Sequence, residues 1–270
     1  MKNSILTAIF ALASLGVAQA AEITMPDLDN LQRADIYILG ETHDNALHHQ
    51  GQVRAIKAVK PKAVVFEMLT PQQAALITPE LLLDQAALEA ALDWNASGWP
   101  DFAIYYPVFA ALDGAKIYGA ALPKDEVRRA YAEGAAIVFG GDAVRFGLDQ
   151  AVPEDQLDKR MQEQFDAHCA AMPIEMMGGM VEAQRIRDAA FADAVIKAYE
   201  DAGGPVVLIA GAGHAHYDWA VPAMLKKAGD KLSVISIAFL EEPAEPEKRY
   251  DFWIETKRAI REDPCLAFQK

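Results

Sequence analysis

The sequence predicts an α/β fold: a central, mostly parallel sheet flanked by helices, with a helical insertion over the carboxyl ends of the strands. Three observations predict it. Short apolar runs at residues 36–39, 63–66, 116–119, 206–210 and 232–239 are bounded by Gly, Pro, Asp or Lys, as strands buried on both faces are. Helical spacing fills most of the intervals between them. Two of the runs lead straight into Gly-x-x-His turns, Gly40-Glu41-Thr42-His43 and Gly211-Ala212-Gly213-His214. In an open parallel sheet the ligand crevice lies beyond the carboxyl ends of the strands, so these histidines, about 170 residues apart in sequence, are expected to face one pocket.

The chain begins with the pattern of an export signal. Lys2 precedes an apolar stretch over residues 5–17, and Ala18 and Ala20 flank Gln19 in a cleavage pattern. Residues 1–20 are therefore expected to be removed, leaving residues 21–270 as a single α/β domain in an oxidising compartment, the periplasm or beyond. The apolar stretch is shorter than a spanning helix needs, so membrane insertion is not expected. The net charge of −14 loses only Lys2 on cleavage and becomes −15. So acidic a chain repels the phosphates of nucleic acid and of anionic membranes.

The elements follow in order. After the strand at 36–39, Asp44 or Asn45 caps a helix running to about Val59, where Pro61 stops it, and the strand at 63–66 completes a βαβ unit. Residues 71–204 form the mainly helical insertion, with helices predicted over 80–93, 101–113, 124–133, 154–170 and 175–202 and one strand at 116–119. A helix over about 217–228 leads to the strand at 232–239. Residues 241–247 then make a polar loop, and 250–255 return as an edge strand. Cys169 and Cys265 are the two cysteines, and in an exported chain an even count favours a disulfide, with two buried free thiols, or Cys169 beside His168 as a reactive or ligating pair, as the alternatives.

Glu41, His43, Glu67 and His214 all fall at predicted strand ends. Two imidazoles and two carboxylates there suit a divalent transition metal, or an acid and a base acting on bound substrate. Capping and core hydrogen bonding would use the same residue types. His49 shares a helical stripe with Val53 and Ile56 and points inward, as a core hydrogen bonder or a ligand. On the long helix, Gln184 and Asp188 interrupt an apolar stripe and need partners, and Arg187 offers a charge to Asp188 or to an anionic ligand. Trp94, Trp99, Phe102, Tyr105, Tyr106 and Phe109 form an aromatic cluster that packs as plain core or lines an apolar slot. A tyrosine phenolate is a known haem ligand.

Gly40-Glu41-Thr42-His43-Asp44-Asn45 with His48-His49, Val65-Phe66-Glu67-Met68, Trp99-Pro100, Gln184-x-x-Arg187-Asp188 and Gly211-Ala212-Gly213-His214 together closely resemble the ChaN-like haem-binding proteins of the Tiki, TraB and erythromycin-esterase-like superfamily. The resemblance implies an exported haem-binding protein of iron acquisition. Its pocket would be made by Glu41, His43, Glu67, Gln184, Arg187, Asp188 and His214. It also implies a tyrosine axial ligand, for which Tyr105, Tyr106 and Tyr217 are candidates in that order. The expected ligand is haem or another small anion, and the expected protein partners are a second copy of the chain and an uptake component. The family example is a lipoprotein, whereas no lipidation cysteine stands near the cleavage site here. The wider superfamily implies an alternative, a metal-dependent hydrolase using Glu41, His43, Glu67 and His214.

Overall fold

The computed structural model describes residues 20–229, 231–244, 247–263 and 265–266. The predicted export segment thus lies, but for Ala20, outside the described residues, as do positions 245 and 246 of the polar loop. Seven strands form one sheet: β1 (Ala21–Glu22), β2 (Ile36–Glu41), β3 (Ala63–Phe66), β4 (Lys116–Gly119), β5 (Val206–Gly211), β6 (Val234–Glu241) and β7 (Phe252–Thr256). Their spatial order is β1-β7-β6-β2-β5-β3-β4, and every pairing is parallel. Residues 252–256 do return to the sheet, but β1 covers them, so the predicted edge strand is not the edge. Two extended residues carry too little pattern for β1 to be read from sequence.

The helices are α1 (Ala46–Val59), α2 (Pro71–Leu76), α3 (Gln85–Ala91), α4 (Trp94–Ser97), α5 (Phe102–Ala110), α6 (Lys124–Glu133), α7 (Ala135–Val138), α8 (Glu154–Ala167), α9 (Met177–Ala202) and α10 (Val221–Lys227). Asn45 caps α1, its side chain accepting from the Leu47 amide at 3.0 Å. The short helices α2, α4 and α7 escape the sequence reading because one or two turns hold too few residues to show a period.

The pleat sorts the core into two layers. Ile36, Ile38, Val65, Val206 and Leu208 face α9, α10 and α7, whereas Tyr37, Leu39, Val64, Phe66, Val207 and Ile209 face α1, α3 and α5. The strands β2 and β3 are buried along their whole length, which is why they read as unbroken apolar runs. Cys169 and Cys265 form a disulfide with Cα atoms 5.4 Å apart, tying the C-terminal tail to the end of α8. Among the described residues, no helix is long and apolar enough to cross a membrane.

Candidate functional site

The alternation that builds the two layers also places the polar residues at the strand ends. Continuing β2, Glu41 falls on the side of Tyr37 and Leu39, beneath α1 and α5. Continuing β3, Glu67 follows Phe66 and so falls on the opposite side, toward α9. The four residues read as one ring therefore divide into two linked groups.

Glu41 organises the first group. It is buried, and its Oε1 accepts from the Tyr105 hydroxyl at 2.6 Å and from His43 Nδ1 at 2.8 Å. The Gln52 amide occupies its Oε2. With Nδ1–H given to Glu41, His43 presents Nε2 toward Glu67, 3.9 Å from Oε2, while its ring packs against Trp99 at 4.8 Å. Burial opposes a charge on His43, but the Glu41 and Glu67 carboxylates prevail and hold its pKa above the ordinary histidine value.

The second group is a row of alternating charges. His214 gives its Nδ1 proton to Asp188 Oδ1 at 2.6 Å and turns Nε2 toward Glu67 Oε1 at 3.5 Å. Burial works against the imidazolium, yet the two carboxylates outweigh it and raise its pKa to about 9. Burial likewise opposes the Glu67 charge, but His214, His43 and the Gly211 amide at 2.7 Å bring Glu67 down to about 2. Burial raises Asp188 above the usual carboxylate range despite His214. Position 211 is tight, since a Cβ there would stand 3.0 Å from His43 Nε2 and would press on that ring.

Glu67, which links the two groups, opens onto a cleft of about 560 Å³, within the usual range of small-molecule sites. Glu67 and Met68 lie at its base; Trp99, Leu122 and Phe191 supply apolar wall, and Lys124, Arg128 and Arg187 supply positive charge. A second cavity, of about 610 Å³ beside Asp35, Gly204 and Ser233, lies at the amino ends of the strands.

Several expectations change. None of the three candidate tyrosines is in the cleft lining. Tyr105 is fully buried with its hydroxyl on Glu41, and burial together with Glu41 drives its pKa far upward. The Tyr106 hydroxyl donates to the Leu82 carbonyl at 3.1 Å, and Tyr217 is a surface residue outside the cleft lining. His49 is buried and donates from Nε2 to the His43 carbonyl at 3.0 Å, so it braces the turn. His48 is buried as well, accepting the Thr42 amide at Nδ1 and donating to Thr256 from Nε2.

As a metal cage the four strand-end residues do not converge. Both Glu41 oxygens are taken by Tyr105, His43 and Gln52, and among the described residues no group of three or more His, Cys, Asp or Glu could hold a metal ion. Gln184 lies against His214, its amide nitrogen 3.2 Å from Nε2. The arginine beside Asp188 is Arg160 of α8, 4.0 Å away, and Arg187 lines the cleft, where it can meet an anionic ligand. Arg160 went unread in the sequence; its place on one stripe with Leu157 and Gln164 was the available signal.

Compared with known families, residues 28–225 match the model described as haem-binding uptake, Tiki superfamily, ChaN. The chain belongs to the ChaN family. The structure described as cofacial heme binding to ChaN of Campylobacter jejuni is similar in fold, with a TM-score of 0.56 and 18% identity over 82% of this chain and 86% of that one. The type III effector HopBA1 aligns more loosely, with a TM-score of 0.45 and 14% identity over 83% and 88% of the two chains. A succinoglycan biosynthesis protein gives a TM-score of 0.43 and 12% identity over 80% and 68%. No curated protein sequence matches. The ChaN model covers β2, β3, β5 and α9, and with them every strand-end residue described above.

Proposed function

We propose that this protein binds haem in the cleft beyond β2, β3 and β5, and serves haem or iron acquisition as an exported protein. The observation that carries the reading is the cleft itself, an apolar slot edged by Arg187, Lys124 and Arg128 on a chain of net charge −14. Haem brings a planar apolar macrocycle, two propionates and an iron with axial positions. The walls from Trp99, Leu122, Phe191 and Met68 fit the first, and the three cations fit the second.

For the third, His43 is the more exposed of the two imidazoles beside Glu67, and its ring packs on the cleft-lining Trp99. Its Nδ1–H bond to Glu41 fixes the tautomer that leaves Nε2 as the donor atom, the usual support for a ligating histidine. The carboxylates keep a proton on His43, so ligation must release it and binding strengthens as pH rises. His214 and Asp188 hold Glu67 ionised at the base of the cleft. Export is supported by the signal-like residues 1–20 and by the Cys169–Cys265 disulfide, a bond typical of oxidising compartments.

Haemin titration followed by the Soret band tests the reading. Saturable binding is expected, weakened about tenfold to a hundredfold by Arg187→Glu, the range of a charge-assisted contact. His43→Ala should shift the band, and Tyr105→Phe should leave it nearly unchanged. A protein that gives no saturable Soret change overturns the haem reading. A Soret response lost in Tyr105→Phe but kept in His43→Ala overturns the ligand assignment alone.

A further inference from the structure

Beyond β7 the chain leaves the sheet and runs without regular structure over residues 257–263, with Ile260 fully exposed. It is nevertheless fastened to the turn that carries His43. At the end of β7, Thr256 meets His48 Nε2 at 2.9 Å, and His48 Nδ1 accepts the Thr42 amide at 2.8 Å. Asn45 donates from Nδ2 to the Lys257 carbonyl at 2.9 Å and to Glu241 Oε1 at 2.7 Å. Glu241 also accepts the Ala259 amide at 2.8 Å. Arg261 closes the arrangement: Nη1 and Nη2 donate to Glu241 at 2.8 and 2.6 Å, and Nη2 and Nε donate to Asp44.

Residues 256–261 thus hold Thr42, Asp44 and Asn45, the neighbours of His43, from a distance of about two hundred residues in sequence. The ion pairs that hold the far end are partly exposed, with the Arg261 side chain 26% and Asp44 38% accessible, and such pairs are individually weak. Four residues after Arg261, Cys265 is bonded to Cys169 behind α8. A cross-link that keeps Arg261 close to its carboxylates raises their effective concentration without adding a contact, so weak pairs close more of the time. Both cysteines are half-buried, within reach of a small thiol.

We propose that residues 256–261 are a strap that positions the His43 turn, that Arg261 is its positioning residue, and that the Cys169–Cys265 disulfide makes the strap respond to redox state. A dithiol supplies the reduction: it gives up two electrons and two protons and closes its own disulfide, while the Cys169–Cys265 bond breaks and each cysteine becomes a thiol. Arg261 is then held by its ion pairs alone, and the 42–45 turn opens more often. The effect on ligand binding rests on the haem reading above, whereas the strap itself does not.

Amide hydrogen exchange on the haem-free protein tests the strap at the Thr42 and Asn45 amides, which donate to His48 and to the Thr42 carbonyl. Arg261→Gln should speed exchange at both severalfold and leave the core amides of β3 and β5 unchanged, with Arg261→Lys restoring part of the protection. Dithiothreitol should speed the same two amides in the wild type and add little in Arg261→Gln. Asp44→Asn, which removes the other end of the contact, should match Arg261→Gln. In haemin titrations the Arg261→Gln and reduced proteins should bind severalfold more weakly, with a displaced Soret band. Unchanged exchange at Thr42 and Asn45 in both Arg261→Gln and Asp44→Asn overturns the strap, as does faster exchange spread evenly through β3 and β5. Exchange that responds to Arg261→Gln but not to dithiothreitol overturns the redox response. Failure of the wild type to bind haemin overturns the haem reading alone, because the exchange is measured without it.

Discussion

Asp188→Asn isolates the electrostatics of the strand-end site. Asp188 and Glu67 hold His214 charged, with its pKa near 9 against the ordinary histidine value of 6.5. Because the folded value is the higher one, the unfolded chain binds fewer protons between these two pH values. The stability His214 contributes is fully present below pH 6.5 and is lost as pH rises through 9. At 1.36 kcal/mol per pKa unit the loss is about 3 kcal/mol. Asparagine keeps the shape and can still accept from Nδ1–H, but removes one of the two charges opposing burial. In Asp188→Asn the His214 pKa should fall toward or below 6.5, and the alkaline loss of stability should shrink to match. Urea unfolding at steps between pH 6 and 9.5 gives the slope, and the His214 ring protons followed by NMR give the titration. An unchanged slope together with an unchanged His214 titration would show that Asp188 does not hold the charge.

Other variants reach other parts of the molecule. His48 is buried neutral and its pKa is lowered to about 4, mainly by burial, so unfolding takes up a proton between pH 6.5 and 4 and wild-type stability falls by about 3 kcal/mol across that window. His48→Gln should flatten that acid limb in urea titrations. Reducing the Cys169–Cys265 disulfide, or replacing Cys265 by Ser, should lower unfolding stability by up to about 4–5 kcal/mol through the freed loop of the unfolded chain, with far-UV circular dichroism unchanged. Gly51→Ala would place a Cβ 2.1 Å from the Phe239 ring at the α1 packing contact. Overpacking of this kind costs roughly 1–3 kcal/mol, seen as a lower urea midpoint. Thermal stability equal to wild type would mean that the Phe239 ring moves aside freely.

Much of the fold was legible because its strands are buried on both faces. The runs at 36–39, 63–66 and 206–210 need apolar residues throughout, and each became a strand, as did the part-exposed run at 116–119, while Asn45 and Pro61 bracket α1 as their chemistry requires. The interruption of the α9 stripe by Asp188 and Gln184 was equally visible, since a carboxylate among apolar positions demands a partner. What covers the sheet edge was not legible: β1 has only two residues and owes its place to pairing with β7.

The sequence by itself determined the fold class, the strand ends that carry Glu41, His43, Glu67 and His214, and the resemblance that family membership then supported. Only the tertiary structure decided how those residues divide. Whether β2 offers Glu41 to α5 while β3 offers Glu67 to α9 depends on strand register across the sheet, which no local pattern records. The same long-range packing sealed Tyr105 against Glu41, brought Arg160 rather than Arg187 to Asp188, and left Arg187 facing the cleft. Periodicity within one helix says which face is buried. Which charge waits on the other side is set by a neighbour far away in sequence.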